Sequence, residues 1–398
     1  MAARRVAIIG AGASGLCALK CCLDEGLVPT CFERSGDIGG LWRFEEHPEE
    51  GRASIYRSVI INTSKEMMCF SDFPIPEDFP NYMHNSKIME YFRMYAQHFD
   101  LLRHIRLRTS VCRVAKRPDF AATGQWEVVT ESQGKQEVAV FDAVLVCTGH
   151  HTEAYLPLST FPGLEKFAGW YLHSRDYKSP QSFLGKRVVV VGTGNSGIDI
   201  AVELSHIAKQ VFLSTRRGTW LLHRVADGGY PFDFSYLSRF IQLVRSLLPH
   251  NASSLFLERK LNARFDHALY GLQPQHRILD QHPTINDDLP NRIIAGMVLL
   301  ACQVGVKPNL LTLFLTDPKL ALEVAFGPCT PYQYRLRGPG KWAGAREAIL
   351  TQRQRMVRPL QTRAGDRPPR YSAVPHVFKV SFSIGLIVAT LVYVLISP

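Results

Sequence analysis

Two glycine-rich turns are the residues of this 398-residue chain whose type and spacing point most directly to chemistry. The pattern G-x-G-x-x-G occurs at residues 10–15 and again at residues 192–197, each time directly after an apolar run. In such a turn the glycines allow a tight bend, a close approach of the backbone to a pyrophosphate and close packing of helix on strand. The helix that follows offers free N–H groups and a positive dipole end to phosphates. Two copies predict two dinucleotides bound by one chain, with electrons passing between them.

The charges that follow the two turns have opposite sign. Glu33 ends the strand after the first turn, and Arg216 and Arg217 end the strand after the second. A carboxylate at this place accepts hydrogen bonds from ribose hydroxyls and repels a 2′-phosphate, whereas paired guanidinium groups suit the 2′-phosphate of NADP. The first site is therefore expected to take FAD or NAD and the second NADP. The alternative is that Glu33, Arg216 and Arg217 are ordinary surface charges at strand ends.

The elements around these turns indicate an α/β chain. Residues 1–45 are a β-α-β unit that closes on a loop with two glycines at Gly39–Gly40. Residues 105–149 are β-rich and are predicted to end in a buried strand over Phe141–Gly149. The predicted fold is two Rossmann-like, doubly wound dinucleotide-binding domains followed by a C-terminal membrane helix. The expected segments are residues 1–153 for the first nucleotide-binding domain, 154–298 for the second, 299–370 for a C-terminal remainder, and a membrane helix over 378–396.

Charge and hydropathy near the C-terminus predict a membrane segment. The formal net charge is +11, and residues 331–370 alone carry ten Lys or Arg and two acidic residues. This basic stretch leads into an uncharged apolar run from Val380 to Ile396, long enough for a thin bilayer. We expect an embedded tail whose basic flank lies in the cytosol, with membrane lipids as partners and no nucleic acid. A buried core helix is the alternative interpretation.

The nine cysteines do not indicate a metal site or a redox disulfide. No pair has zinc-ribbon or thioredoxin spacing, so no metal is predicted. Cys17 and Cys22 have C-x4-C spacing, but they lie on the helix after the first turn, where residues five apart point in different directions. Reduced, mostly buried thiols are the expected state.

Several segments together resemble one family. Residues Phe167–Tyr177 resemble the F-x-G-x-x-x-H-x-x-x-[YF] motif that identifies flavin-containing monooxygenases. Four further segments resemble the vertebrate microsomal members, the N-oxide-forming dimethylaniline monooxygenases: Gly39–Arg43, Ile61–Glu66, Pro283–Pro290 and Phe326–Tyr332. The resemblance covers nearly the whole chain. It implies that residues 1–153 form the FAD-binding domain, that residues 154–298 form the NADPH-binding domain, and that residues 299–370 are the remainder of the FAD domain.

The resemblance implies FAD and NADPH as cofactors and a set of residues that contact them. Asn62 matches the family asparagine that lies beside the flavin and NADP⁺, and it is the one residue to which the resemblance gives a catalytic role. An Asn side chain donates and accepts hydrogen bonds without titrating, although Asn62 could equally be a turn former. The residues expected to bind the two cofactors are Gly10, Ala11, Gly12, Ala13, Ser14, Gly15, Glu33, Gly40, Leu41, Trp42, Ile61, Asn62, Thr63, Gly192, Gly194, Asn195, Ser196, Gly197, Ile198, Asp199, Arg216 and Arg217.

The resemblance also implies a reaction. NADPH would reduce the flavin, O₂ would add to give a C4a-hydroperoxyflavin, and a soft nitrogen or sulfur nucleophile in a lipophilic molecule would take the distal oxygen. The chemistry belongs to the cofactor, so the protein's part is placement and a dry site. The implied location is the endoplasmic reticulum membrane with the catalytic part in the cytosol. Homo-oligomerisation is left open.

Three other functions compete with this one. Relatives with the same motifs carry out Baeyer–Villiger oxidation of ketones. A catalytically impaired, membrane-anchored FAD/NADP-binding variant, or an NADPH oxidase, is a second alternative. A pyridine nucleotide–disulfide reductase ranks last, because the loop Gly36–Gly40 contains no cysteine.

The chain departs from the family at one place. Residues 291–298 resemble the middle of the family and residues 305–310 already resemble its late part, so an internal segment is missing near residues 298–303. A sheet that lacks its last strand should expose an edge and an apolar face, which is the observation behind the catalytically impaired alternative.

Overall fold

Strands and helices alternate around both glycine turns. The computed structural model describes residues 3–161, 163–302 and 350–351. The elements up to residue 146 are β1 (Arg5–Ile9), α1 (Ala13–Asp24), β2 (Val28–Phe32), α2 (Lys65–Met68), α3 (Asn85–His98), β3 (Ile105–Arg106), β4 (Ser110–Lys116), α4 (Phe120–Thr123), β5 (Trp126–Ser132), β6 (Lys135–Phe141) and β7 (Ala143–Val146). Those that follow are β8 (Arg187–Val191), α5 (Asn195–Leu204), β9 (Gln210–Thr215), β10 (Leu221–Leu222), α6 (Phe232–Tyr236), α7 (Arg239–Leu247), α8 (His250–Arg264), β11 (Thr284–Ile285), α9 (Leu289–Ile294) and β12 (Val298–Cys302).

The described residues fall into two units. Unit 1 contains residues 3–161, 163–184 and 223–247, and unit 2 contains residues 185–222, 248–302 and 350–351. The first boundary between the units lies at residue 184, and residues after 153 bond to unit 1: Lys178 donates through Nζ to the carbonyl oxygen of Ser54 at 2.8 Å. Residues 298–302, which the sequence assigns partly to the remainder of the FAD domain, lie in unit 2.

The central sheet of unit 1 is parallel and has the order β3-β2-β1-β7. Its apolar strands pack on α1 and α3 through a core that includes Ile8, Leu16 and Ile88, all fully buried. This is the β-α-β unit that the sequence predicts. The prediction of a buried final strand over Phe141–Gly149 is wrong in part, because β7 covers only Ala143–Val146 and Val146 is 72% exposed. The reason is that β7 has a described neighbour only on the β1 side.

An antiparallel meander, β4-β5-β6, covers the other face of this sheet. Its hairpin turns at Gln133 and Gly134, both with positive φ, which is the backbone that a two-residue turn requires. Val128 and Phe141 of the meander pack on Ala7 and Phe32 of the sheet, and all four side chains are buried. The meander therefore shields the face of β1 that α1 does not cover.

The sheet of unit 2 is also parallel and has the order β12-β9-β8. A run of four valines makes β8 a strong strand former. Among the described residues no strand pairs with β8 on the side away from β9, and Val189 and Val191 are 61% and 63% exposed. The position that β7 occupies in unit 1 thus has no counterpart in unit 2 among the described residues.

Residues 223–247 return to unit 1 and carry the helices α6 and α7. All residues of α7 are at least partly exposed, and its apolar side chains Phe240 and Leu247 are 73% and 76% exposed. Within the described residues no helix is long and apolar enough to cross a membrane. The predicted membrane helix over 378–396 lies outside them.

Candidate functional site

The first glycine turn is built so that no side chain fits at two of its positions. Gly10 has a φ of +102°, and a Cβ there would lie 2.6 Å from the carbonyl oxygen of Cys147. A Cβ on Gly15 would overlap the carbonyl oxygen of Gly10. Helix α1 begins at Ala13 immediately after Gly12, so Ala13 and the exposed Ser14 lie in its first turn. The first-turn N–H groups of a helix suit a phosphate.

Glu33 holds this turn from the end of β2. Its Oε2 accepts the backbone N–H of Ala11 at 2.8 Å, and its Oε1 accepts the backbone N–H and the hydroxyl of Ser35 at 2.9 and 2.7 Å. The side chain is buried. Two carboxylate oxygens offer about four acceptor sites, so a ribose hydroxyl can still bond there. The sequence located Glu33 but missed Ser35, whose only signal is its place two residues later.

The Gly39–Gly40 loop lies directly against the first turn. Gly39 donates its N–H to the carbonyl oxygen of Ala11 at 2.9 Å, and a Cβ on Gly40 would lie 3.1 Å from the Cα of Gly12. Leu41 and Trp42 continue from Gly40 in a single helical turn, and both are half-buried. The structure therefore brings together three predicted segments: the glycine turn, Glu33 and Gly40–Trp42.

Asn62 lies in a turn that belongs to the same unit. Ile61 is buried in the core that also contains Ala11, and its N–H donates to the carbonyl oxygen of Met83 at 3.0 Å. Thr63 is exposed. The Oδ1 of Asn62 accepts a hydrogen bond from Nη2 of Arg224 at 2.8 Å. Sequence reasoning missed Arg224, although a charged residue within an apolar run is a usable signal.

A buried carboxylate holds the other end of the same turn. Asp233 accepts the backbone N–H of Ser64 through Oδ2 at 2.6 Å. Tyr82 donates its hydroxyl to the carbonyl oxygen of Arg224 at 2.7 Å, and burial together with the nearby Asp233 raises the pKa of Tyr82 to about 12. Tyr82 therefore remains a neutral donor at any physiological pH.

The second glycine turn is more open than the first. Gly192 has a φ of +107°, yet a Cβ on Gly192 or Gly194 would meet no described atom within 4 Å. A Cβ on Gly197 would overlap the carbonyl oxygen of Gly192. The exposed Ser196 lies in the first turn of α5, whereas the Ile198 side chain is fully buried, which leaves only its backbone for a ligand.

A segment almost 90 residues later holds this turn in place. Ile285 donates its N–H to Oδ1 of Asn195 at 2.8 Å, and Asn286 donates through Nδ2 to Oδ1 of Asp199 at 2.8 Å. The hydroxyl of Thr284 donates to the carbonyl oxygen of Thr193 at 2.6 Å. Asn195 and Asp199, predicted to contact the cofactor, thus have these partners within the protein.

Arg216 and Arg217 follow β9 and are exposed beside the second turn. The strand end lies close to the turn, because Gly192 donates its N–H to the carbonyl oxygen of Ser214 at 2.9 Å. Two guanidinium groups here complement an anionic group bound at the turn.

The cysteines of unit 1 are free thiols, and burial raises the pKa of four of these thiols, those of Cys17, Cys22, Cys31 and Cys147. Burial raises the pKa of the Cys17 thiol to about 11 and that of Cys31 to about 12. A redox pair needs thiolates, which these pKa values oppose near neutral pH. The described residues contain no group of His, Cys, Asp or Glu side chains that could hold a metal ion.

Comparison with known proteins identifies the class. The family model for flavin-binding monooxygenases matches residues 3–304 and 299–396, so its two matched segments meet at 299–304. The chain belongs to the flavin-containing monooxygenases, a family of FAD- and NADPH-dependent oxidoreductases. Its cofactors are FAD and NADPH.

Individual relatives agree. Flavin-containing monooxygenase 5 of Oryctolagus cuniculus is 46% identical over 532 residues, which cover 99% of this chain and 100% of that protein. The N-oxide-forming dimethylaniline monooxygenase 2 of Cavia porcellus is 42% identical over 511 residues, covering 93% and 96%. The first alignment is 134 positions longer than this chain (532 against 398), so at least that many positions have no residue here. The meeting point of the two family matches is where the sequence places the missing segment.

Solved structures show the same fold over part of the chain. The S-allyl-L-cysteine S-oxygenase of Allium sativum superposes with a TM-score of 0.51 at 30% identity, covering 57% of this chain and 54% of that one, about half of each. A complex of OTEMO with FAD and NADP superposes with a TM-score of 0.55 at 18% identity, covering 75% and 65%, and shows the fold alone.

Proposed function

We propose that this chain is an NADPH- and O₂-dependent flavin monooxygenase that oxygenates soft nitrogen or sulfur atoms of small lipophilic molecules. The observation that carries the proposal is the pair of glycine turns with opposite charges at their strand ends, Glu33 at one and Arg216–Arg217 at the other, in a member of this family. The balanced reaction is substrate + NADPH + H⁺ + O₂ giving oxygenated substrate + NADP⁺ + H₂O.

The residues of unit 1 would hold FAD. The first-turn amides of α1, at Ala13 and Ser14, receive the pyrophosphate, and the remaining acceptor sites of Glu33 receive the ribose. Bound FAD supplies the oxygen chemistry, through a C4a-hydroperoxyflavin in our proposal. Asn62 contributes a side-chain amide that can donate a hydrogen bond beside the flavin. No titrating protein group is required for this step.

The residues of unit 2 would hold NADPH. The open space at Gly192 and Gly194 admits a pyrophosphate, Ser196 lies in the first turn of α5, and Arg216 or Arg217 receives the 2′-phosphate. Removal of both guanidinium groups should weaken NADPH binding while leaving NADH binding unchanged, because only NADPH carries the phosphate.

A second function is an oxidase that passes electrons from NADPH to O₂ and releases H₂O₂. The observation that favours it is the exposed edge of the unit 1 sheet, where Val146 of β7 is 72% exposed, together with the 134 or more alignment positions that this chain lacks. Without walls that exclude water, the net reaction would be NADPH + H⁺ + O₂ giving NADP⁺ + H₂O₂, with bound FAD supplying the electron transfer and no oxygenated product formed. Baeyer–Villiger oxidation of a ketone is a third candidate and shares the cofactors.

The first experiment is an absorption spectrum of the purified chain, followed by anaerobic NADPH. Bound FAD that bleaches supports both cofactor sites. Readmitted O₂ with an amine, a sulfide or a ketone then separates the three functions by product and by the H₂O₂ formed per NADPH. The double variant R216Q/R217Q should raise the Kd for NADPH about 10-fold to 100-fold, as expected for lost charge-assisted hydrogen bonds. R113Q, at an exposed arginine that pairs with Glu127, is the matched control. NADPH affinity unchanged in R216Q/R217Q would contradict the assignment of unit 2.

We also propose that the protein works at the endoplasmic reticulum membrane. The exposed apolar side chains of α7, with Arg239 and Arg245 on the same helix, suit the interface of an anionic bilayer. The apolar run Val380–Ile396 in the sequence supports the same location. The double variant F240S/L247S should weaken flotation with anionic vesicles, whereas V138S, at a valine on β6 that is 62% exposed, should leave it unchanged. Flotation of F240S/L247S at the level of the unaltered chain would contradict a role for α7.

A further inference from the structure

The turn that carries Asn62 is held from two sides by one distant segment. Residues 224–236 contact the turn at Ile61–Asn62 through Arg224 and at Ser64 through Asp233. We call this arrangement, Arg224 and Asp233 on the turn Ile61–Ser64, the clamp. We propose that Arg224 is a positioning residue that orients the side-chain amide of Asn62 toward the bound flavin. The inference rests on the proposed function, because that function places Asn62 beside the cofactor.

The orientation follows from the donor and acceptor types of the two side chains. Arg224 donates through Nη2 to Oδ1 of Asn62 at 2.8 Å and through Nε to the carbonyl oxygen of Ile61 at 3.2 Å. A guanidinium group can only donate, so the oxygen of the Asn62 amide must face it. The Nδ2 group then points away from Arg224. An asparagine without such a partner has two nearly equivalent amide orientations, and only one of them offers a donor to the site.

The backbone of Arg224 is itself held in place, and its guanidinium group lies near an aromatic ring. The carbonyl oxygen of Arg224 accepts the hydroxyl of Tyr82 at 2.7 Å and the backbone N–H of Phe232 at 2.8 Å. The guanidinium carbon lies 6.0 Å from the centre of the Tyr82 ring. A side chain whose own backbone is fixed in this way loses less freedom when it bonds Asn62. The bonds from Nε to Ile61 and from Nη2 to Asn62 leave one planar guanidinium group, so they also fix the direction of the Asn62 side chain.

Asp233 fixes the far end of the turn independently of Arg224. Its buried carboxylate accepts the N–H of Ser64 at 2.6 Å through Oδ2 and that of Phe234, at the start of α6, at 2.9 Å through Oδ1. The backbone on both sides of Thr63 is therefore held, while Thr63 itself is exposed. Loss of Arg224 should free the Asn62 amide while Asp233 keeps the turn in place, which separates positioning from folding.

The test compares R224M with N62A and with the double variant R224M/N62A. R224M keeps an apolar stem and removes the donors, and R113M, at an exposed arginine on β4, is the matched control. We expect R224M to bind FAD and NADP⁺ within about twofold of the unaltered chain. We expect the yield of oxygenated product per NADPH to fall about 10-fold or more and H₂O₂ to rise correspondingly, since a misplaced catalytic group costs factors of this order.

The double variant decides whether Arg224 acts through Asn62. If it does, R224M/N62A has the same product yield as N62A alone, and R113M leaves the yield unchanged. Effects of R224M and N62A that multiply would overturn the proposal, and so would a normal yield in R224M beside a reduced yield in N62A. If R224M is not recovered folded, R224L replaces it. R224L also removes every donor opposite Oδ1 of Asn62, so it should also lose yield, and a normal yield would overturn the proposal.

Two readouts keep this inference separate from the proposed function. If the unaltered chain makes H₂O₂ but no oxygenated product, monooxygenation fails. The rate of flavin reoxidation then replaces yield, with equal changes expected in R224M, N62A and R224M/N62A. If the unaltered chain binds no FAD, the urea unfolding midpoints of the same variants test whether Arg224 and Asn62 interact. Non-additive midpoint shifts support the Arg224–Asn62 contact, and additive shifts refute it.

Discussion

The two glycine turns allow one substitution to be compared in two environments. Gly10 and Gly192 have nearly the same φ, +102° and +107°, so alanine should bring a similar backbone strain of about 2 kcal/mol at either position. Only at Gly10 does the new Cβ meet another atom, the carbonyl oxygen of Cys147 at 2.6 Å, and moving that backbone costs about 2 kcal/mol more. G10A should therefore destabilise unit 1 by about 4 kcal/mol and G192A should destabilise unit 2 by about half as much.

Hydrogen exchange measured by peptide mass spectrometry can read the two units separately. The amides of α1 report on G10A and those of α5 report on G192A. Since about 1.4 kcal/mol corresponds to a factor of ten, exchange should accelerate roughly 1,000-fold in α1 and roughly 30-fold in α5. Equal acceleration in the two helices would refute the reasoning, because it would mean that the strand end after β7 does not constrain the first turn.

Three further outcomes are expected. Glu33→Gln replaces a carboxylate oxygen that accepts a backbone N–H with an amide NH₂ group that cannot accept, so it should lower the stability of unit 1 by about 1.5–3 kcal/mol. Glu137→Gln, at an exposed ion pair, should change stability little. Equal urea midpoints for the two variants would argue against the role of Glu33. Burial raises the pKa of Cys31 from 9.0 to about 12, so above pH 9 the unfolded chain loses this proton before the folded chain does. The free energy of unfolding should therefore fall from pH 9 to pH 12, and it should fall less steeply in Cys31→Ala. The same slope in both proteins would show that Cys31 does not cause the fall. Val189→Lys should leave unit 2 as stable as before and raise the soluble yield, because the side chain is exposed on an edge strand; a loss of stability on the urea scale would mean that the edge is covered.

Local patterns predicted the glycine turns, the β-α-β unit and the charges at the strand ends. These features depend on residues within about 25 positions of each other, and the physics of a turn or a strand is short-range. The burial of β7 was predicted wrongly for the related reason that an apolar run does not say whether a neighbour exists. Val146 has the composition of a core strand but lies at the described edge of its sheet.

The partners of Asn62 could not be predicted from spacing. Arg224 lies 162 residues and Asp233 lies 171 residues further along the chain, beyond the second glycine turn, and no periodicity connects them to Ile61–Ser64. The same holds for Ile285 on Asn195. Hydrogen bonds of this kind are set by tertiary packing, which one sequence does not display.

The clamp also dictates an order of events during synthesis. Unit 1 is interrupted by residues 185–222 of unit 2, and the hydrogen bond from Arg224 to Asn62 spans 162 residues. At ~5–20 residues per second a ribosome needs roughly 10–30 s to deliver Arg224 after Asn62. Throughout that interval the first nucleotide-binding fold can form, but Asn62 does not yet have the hydrogen bond from Arg224. The nascent chain therefore presents its second glycine turn before the last residues of its first unit are made, and residues 248–302 complete unit 2 only after that.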